Sequence, residues 1–477
     1  MDASQIASNE IAVLLTGNNI YHTYKEQWQF LLESYMGGDE YRQAGHLMRY
    51  QLESNSEYWS RIQNTPLENH CKSIIQTYTS FLFRVSPTRE LNTYENNIQV
   101  QDFLRDCDHD DRSLDQFMRD VAVWTSVFGN VWVVMAKPDI GALSLADEVA
   151  AGARPYVNMI TPLAVLDWEW QRLPTGRYTL SYFKYIEDVN GSVRTVKEWT
   201  PEFIRTTVVD TEEDALIDKV EEVNALGYIP AICAYNLRSP VRGIGISDIA
   251  DIAFSQKHIY NCTSEAVESI RLDTHPSVVT TPDVNIGTGA GSLIHVPNDI
   301  EPGLKPYVLS FDGASIDSIY KSIEHTVSSI DKMANTGSIR ETESRVMSGI
   351  SRETEFQLLN SRLSEKADAM ELVEEQMWQI FGDYQNLQWQ GEIDYPGSFN
   401  IRDTASEVEQ LRIAKETATD PALVKAIDER LAQWMDVEVE FFEPHAMQDP
   451  ETGNTRIVQT YQEHIDLANQ GWTHPGE

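Results

Sequence analysis

Residue types that could do chemistry are plentiful in this chain, but their spacing is not that of a catalytic site. The one candidate for a nucleotide-binding loop, Arg242-Gly243-Ile244-Gly245-Ile246-Ser247, lacks the lysine and the third glycine of the fingerprints. It reads as a flexible loop in which Ser247 caps the helix that follows. No G-x-x-x-x-G-K-[ST] loop, G-x-S-x-G elbow or H-E-x-x-H pair occurs. The acidic run at 106–111 (DCDHDD) offers oxygen ligands for Ca²⁺ but not the glycine and distal glutamate of an EF-hand loop. It reads instead as a solvated loop before a helix. Cys71, Cys107, Cys233 and Cys262 form no C-x-x-C pair and read as reduced thiols. Carboxylates are too numerous for any catalytic dyad to stand out. The expectation is a protein that is not an enzyme and holds no cofactor or metal.

The balance of charge is the unusual quantity. The 477 residues carry 74 Asp and Glu against 37 Lys and Arg, a formal net charge of −37. Such a chain repels nucleic acid and anionic membrane at long range. Two readings follow: a well-solvated acidic cytoplasmic protein, or a surface along which DNA slides without sticking. The hydrophobic fraction of 41% is that of a folded protein, and the length suits several domains or one composite one. The first residues (MDASQIASNEIAVLL) lack the basic and apolar regions of a secretory leader. No apolar run approaches a membrane span.

The elements that would position any site follow from periodicity. Gly37-Gly38 breaks a first aromatic-rich helix. Leu67, Cys71, Ile74, Ile75, Tyr78, Phe81 and Leu82 form a helical stripe that ends by Ser86-Pro87. Ser113 and Gln116 fit a capping box ahead of a helix with Leu114, Phe117, Met118, Val121 and Trp124 on its buried face. Gly129 stops that helix, and 130–136 (NVWVVMA) reads as a buried strand.

Residues 155–235 change to strand periodicity. The runs 177–186 and 192–199 flank Asn190-Gly191, which predicts a hairpin with a type I′ turn. Residues 203–210 add a third strand, and 228–235 another, with Pro230 marking an edge or bulge. The section reads as one mostly antiparallel sheet. Ile249, Ile252, Ile259, Thr263, Val267 and Ile270 mark a long helix that ends before His275-Pro276. A Pro- and Gly-rich insert follows, with room for short strands at 277–281 and 292–296.

Ile316, Ile319, Ile323, Val327, Ile330 and Met333 define a second long helix. Neither long helix shows a partner hairpin in the sequence, so their stripes are expected to face neighbouring subunits. A polar, glycine-bounded loop at 337–349 precedes a third helix at 351–381, about 45 Å long. Two shorter helices open at Thr404 and at Asp420-Pro421, and the last 40 or so residues show no clear period.

This order of segments resembles the portal proteins of tailed double-stranded-DNA bacteriophages over most of 20–390. The resemblance is carried by 69–87 (NHCKSIIQTYTSFLFRVSP), the helix–Gly–strand unit at 113–136, and 158–168 (NMITPLAVLDW). It continues through 243–271 (GIGISDIADIAFSQKHIYNCTSEAVESIR) and 347–356 (MSGISRETEF).

The resemblance implies an α+β portal-type subunit. Its wing would be 1–243, stem helices 244–272 and 313–336, clip 273–312 and tunnel loop 337–349. The long wing helix would lie in 350–399, a helical crown in 400–440 and a tail in 441–477. It implies a dodecameric ring at one capsid vertex of the virion, assembled in the host cytoplasm, that conducts the genome during packaging and ejection. The implied partners are the terminase large subunit, the major capsid protein, head–tail adaptor and tail proteins, and double-stranded DNA touched transiently and without sequence preference.

The implied channel residues are Gly337, Arg340, Glu341, Glu343, Arg345 and Gly349, with Lys321 and Lys332 on the second stem helix. These cations have a second reading as intersubunit salt bridges. The implied docking residues of the clip are Asp283, Asn285, Asn298 and Asp299. Another head–tail connector or baseplate protein is the alternative reading.

Overall fold

Caps and glycines place most element boundaries in the computed structural model. It describes residues 3–138, 140–141, 145–274, 277–280, 293–295, 307–309, 314–337, 349–399, 411–415, 424, 427, 445–450, 452–458 and 461–473. The chain is mixed α and β, of the α+β class, and divides into two units, Met1–Asn400 and Ile401–Glu477.

Five helices open the first unit: α1 (Ala3–Leu15), α2 (Asn19–Met36), α3 (Gly38–Gln43), α4 (Asn55–Asn64) and α5 (His70–Leu82). The Asn18 side chain accepts from the Tyr21 amide to start α2, and Gly37 at φ +68° ends it. On α5 the predicted stripe is buried: Cys71, Ile74, Ile75, Tyr78 and Leu82. Strand β1 (Thr88–Glu90) and α6 (Ile98–Arg105) follow, then α7 (Leu114–Phe128). The Ser113–Gln116 capping box forms as expected. The acidic run before it is a loop in which Arg112 holds Asp108 (2.6 Å) and Arg154 holds Asp106 (2.8 Å).

Gly129, at φ +91°, turns α7 directly into β2 (Asn130–Ala136), which is buried on both faces to Met135. After α8 (Leu145–Ala151) come β3 (Tyr156–Ile160), β4 (Val165–Arg172), β5 (Tyr178–Asn190), β6 (Val193–Trp199), β7 (Phe203–Asp210), β8 (Ala215–Val223) and β9 (Ala231–Tyr235). They make two sheets where the sequence predicted one. β4 to β8 form a five-stranded meander, while β9 joins β3 on either side of β2. The parting occurs because β2, buried on both faces, takes an antiparallel partner along each edge. As expected of a strand behind a proline, β9 lies at an edge. Trp132 of β2 joins the sheets, stacking near Trp170 and packing on Phe183 at 4.7 Å.

The predicted hairpin forms with a different turn. Asn190 pairs with Val193, so the two central residues are Gly191 and Ser192. Only Gly191 (φ +61°) is left-handed, which is the type II′ pattern with glycine first. The asparagine stays in the ladder, and the turn sits one residue later than predicted.

Short strands β10 (Leu237–Arg238) and β11 (Gly245–Ile246) pair across the glycine-rich stretch. That stretch is not a flexible loop. Gly245 lies against Gly129 so closely that a Cβ on either would overlap the other's backbone. Ser247 Oγ accepts the Ile249 amide at 3.1 Å, as a capping serine does.

Next come α9 (Ala250–Thr274), β12 (Ser277–Thr280), β13 (Leu293–His295), β14 (Tyr307–Leu309), α10 (Ala314–Ala334), α11 (Gly349–Gln385) and β15 (Glu392–Asp394). β15 pairs with β1, some 300 positions away in the chain. Beside that pair the fully buried Glu374 of α11 takes hydrogen bonds from Arg89 (2.5 Å) and the Tyr395 hydroxyl (2.7 Å).

In the second unit, β16 (His445–Gln448) and β17 (Thr455–Val458) form a hairpin packed with α12 (Tyr461–Asn469) around Met447, Val458 and Leu467. These elements are too short to show a period in the sequence. Residues 411–415 are helical, while the predicted capping residues Thr404, Asp420 and Pro421 lie outside the described residues.

The Gly129–Gly245 contact gives a prediction. Gly245→Ala should lower stability by about 1–3 kcal/mol, because the backbones must part. Gly397→Ala, which meets nothing within 4 Å, should stay within about 0.5 kcal/mol of wild type. Urea unfolding of both variants checks this.

Candidate functional site: a helical stalk and its buried root

Helices α9 and α10 pack on each other. Their directions follow from their ends. Arg362 of α11 bridges Asp248, just before α9, and the carbonyl of Met333 at the end of α10. At the other end, β12 and β14 pair antiparallel, bringing the end of α9 near the start of α10. The two helices are therefore antiparallel, with a small three-stranded sheet between them in sequence, ordered β13-β12-β14. This corrects the expectation that neither long helix has a partner within its own chain: each is the other's partner.

The near half of α9 is fastened to the body by buried polar groups. Gln256, fully buried, donates to the Ser34 carbonyl and accepts from the Cys71 amide, both at 3.0 Å. Ser264 accepts from Arg61 at 3.1 Å, and Asn261 exchanges hydrogen bonds with His46 and Met48. Beyond Ala266 no residue of α9 is buried, and α10 has none from Ile316 to Ser329. Ile270 is 40% exposed and Tyr320 46%. The far halves of both helices thus cover each other incompletely and project as a stalk.

The root of the stalk is a buried ion pair. Lys366 of α11 donates to Asp248 Oδ2 at 2.5 Å, to Ser126 Oγ at 3.0 Å and to Asn236 Oδ1. Asp248 Oδ1 accepts from Arg362 and from Asn236 Nδ2, each at 2.9 Å. Tyr78 donates its hydroxyl to the carbonyl of Ala334 at 2.6 Å, satisfying one of the last carbonyls of α10. Segments from α5, α7, β9, α9, α10 and α11 thus meet at one place. Burial pushes the Asp248 carboxyl up, but Lys366 and Arg362 outweigh it, so it titrates at about 2.

Local sequence patterns do not reveal the root, although one signal is present. Buried positions of α11 include 359, 363, 366, 370, 373, 377 and 380, spaced by threes and fours as in a heptad, with 367, 374, 378 and 381 widening the same face. Lys366 occupies a core position in that series. A lysine there needs a buried carboxylate, and Asp248 is the one it meets.

The sequence-predicted channel residues are placed only in part. Lys321 and Lys332 are both exposed on α10. Gly337 follows α10 by three residues, close to Glu355, and Gly349 opens α11. Arg340, Glu341, Glu343 and Arg345 of the loop, and Asp283, Asn285, Asn298 and Asp299 of the insert, lie outside the described residues. Among the described residues no group of three or more His, Cys, Asp or Glu gathers as a metal site. No described helix is long and apolar enough to cross a membrane.

No family model and no curated protein sequence matches the chain. Among solved structures it is similar to chains of gene transfer agent (GTA) particles. One, from the neck of an empty GTA particle computed with C6 symmetry, gives a TM-score of 0.44 at 10% identity, covering 85% of this chain and all of that one. A second, from the virion of a native GTA particle, gives 0.42 at 10% identity over 81% of this chain and 97% of that one. A third, from the neck of a native particle computed with C12 symmetry, gives 0.39 at 11% identity.

The buried pair sets two expectations. Asp248→Ala strands Lys366 and should cost about 3–5 kcal/mol of stability, whereas adding Lys366→Met should recover part of the loss. Because the folded-state pKa of Asp248 lies below its usual value of 3.8, its contribution is complete above that value and is lost as the pH falls toward 2. Asp248→Asn should therefore flatten the fall of stability between pH 4 and pH 2, read from thermal melts across that window.

Proposed function

We propose that this chain is a portal-type subunit, one copy of a closed ring that surrounds a channel for double-stranded DNA at a virion vertex. The observation that carries the reading is the stalk. Two antiparallel helices rise from a mixed α/β body, enclose a small β insert between them in sequence, and leave their outer halves half-covered. A stalk of this kind gains its missing burial from copies of itself arranged around an axis. In the ring α9 and α10 form the stem and β12–β14 belong to the clip, which meets the packaging motor and later the tail. The loop at 337–349 narrows the channel.

Charge supports the same role. At −37 per copy the ring holds DNA weakly, which suits a duct through which the genome must move in both directions. The exposed Lys321 and Lys332 are available for brief phosphate contacts. The protein does no chemistry of its own in this reading: the motor supplies the work, and the ring supplies the duct and the docking faces.

Negative-stain images of the purified protein should show rings with a central channel, and a protein that stays monomeric at every concentration and ionic strength overturns the reading. Removing 342–345 should leave the rings intact but impair DNA packaging or retention. Substitutions across 283–299 should disturb docking of the motor or tail while sparing assembly.

A further inference from the structure

The five-stranded meander ends in two edges of opposite character. At one end β8 pairs only with β7. Residues 216–223 are exposed on both faces, including Leu216 (50%), Ile217 (56%) and Val223 (83%), although α1 packs alongside. An edge strand with apolar residues on both faces invites a partner unless something covers it. The β7–β8 hairpin is also strongly acidic: 210–223 carries seven carboxylates and a single cation, Lys219. One of these carboxylates, Glu221, is paired with Arg205 at 2.8 Å.

At the other end, the start of β5 and the end of β4 form one wall of a cleft of about 890 Å³, with α11 opposite. Arg177, Arg238 and Arg242 line it beside Trp170 and Tyr178. The Arg242 guanidinium lies 3.8 Å over the Tyr178 ring, and Arg172 approaches the same ring from outside the cleft. None of these four arginines is paired with a carboxylate among the described residues, in a chain where acids outnumber bases two to one. The far wall contributes Glu365 and Asp383, and Asp383 already accepts from the Tyr228 hydroxyl at 2.6 Å.

The two patches stand at opposite edges of one sheet, four strand spacings apart, and the hairpin tip lies at the end of the strands away from Arg177. One copy cannot bring them together. We propose that the acidic β7–β8 hairpin of one copy seats in the arginine–tyrosine cleft of the next. The apolar side chains of β8 lie on the aromatic floor, and Glu212, Glu213 and Asp214 reach the guanidiniums, which bind carboxylates in a fork. Such a contact uses two different surfaces and is therefore head-to-tail, the kind that closes into a ring when the rotation permits. The inference deepens the ring reading above by naming the seam between neighbours.

The test uses two full-length variants. One reverses the cleft (Arg177→Glu, Arg238→Glu, Arg242→Glu) and the other the hairpin (Glu212→Lys, Glu213→Lys, Asp214→Lys). All six positions are exposed, and circular dichroism melts report that each variant folds. Each variant alone should lose assembly and run as a monomer by native mass spectrometry. Mixed, they should regain the wild-type copy number with the two variants in equal amounts, because each hairpin again meets a cleft of opposite charge. If either variant alone assembles like wild type, or the mixture stays monomeric while wild type forms rings, the seam is overturned and the ring stands. If wild type itself never assembles, both are overturned.

Discussion

The pair between Lys366 and Asp248 is the interaction on which the rest of the first unit depends. A lysine without a shell of water is costly, and a nearby carboxylate offsets that cost only where hydrogen bonds satisfy what remains. Here they do so from three directions, through Ser126, Asn236 and Arg362. Each partner lies on a different element. The ion pair therefore holds the end of α7, the exit of β9 and the start of α9 against one another. An apolar core tolerates rearrangement of its parts, whereas a buried charge accepts only the arrangement that neutralises it. That demand suits the root of a stalk, where a small rotation is magnified along the helix.

Much of the fold was legible in the sequence because its signals are local. The Ser113–Gln116 box, the stop at Gly129, the buried run 130–136 and the long helices each arise from neighbours in the chain. What was not legible depends on distant partners. Nothing local distinguishes the strand at Ala231–Tyr235 from those of the meander, yet it pairs with β2. The stripes of α9 and α10 read as faces for other subunits because a sequence does not say which of two stripes meets the other. The Gly245 stretch read as a loose loop because its glycines suggest freedom. Here they permit close approach to Gly129 instead, which only the folded chain reveals. The stalk was visible as two helices, but its root was hidden, since Lys366 differs from its surface counterparts only by its place in a heptad.

The acidity of the chain takes two forms in the structure. Many carboxylates are spent internally, on Arg61, Arg89, Arg112 and Arg154. Others stand in a local excess, as on the β7–β8 hairpin, while several arginines gather without a carboxylate partner among the described residues at the far edge of the same sheet. A uniform net charge would only push copies apart. Separating the signs across one sheet gives repulsion at long range and direction at short range, so a strongly acidic protein can resist clumping and still choose how it meets its own kind.

The pairing of β1 with β15 also has a consequence in time. Residues 88–90 wait for 392–394, so the ribosome must deliver nearly the whole first unit before that small sheet can close. Loops of this span are slow to form, whereas the stalk, built from segments far closer in sequence, can zip early. α11, which closes both the ion pair and the arginine cleft, is likewise delivered late. A nascent chain thus carries a finished stalk on an unfinished body, and the surface that would receive a neighbour is completed only when the subunit itself is nearly complete. The order of synthesis becomes a safeguard against joining too soon.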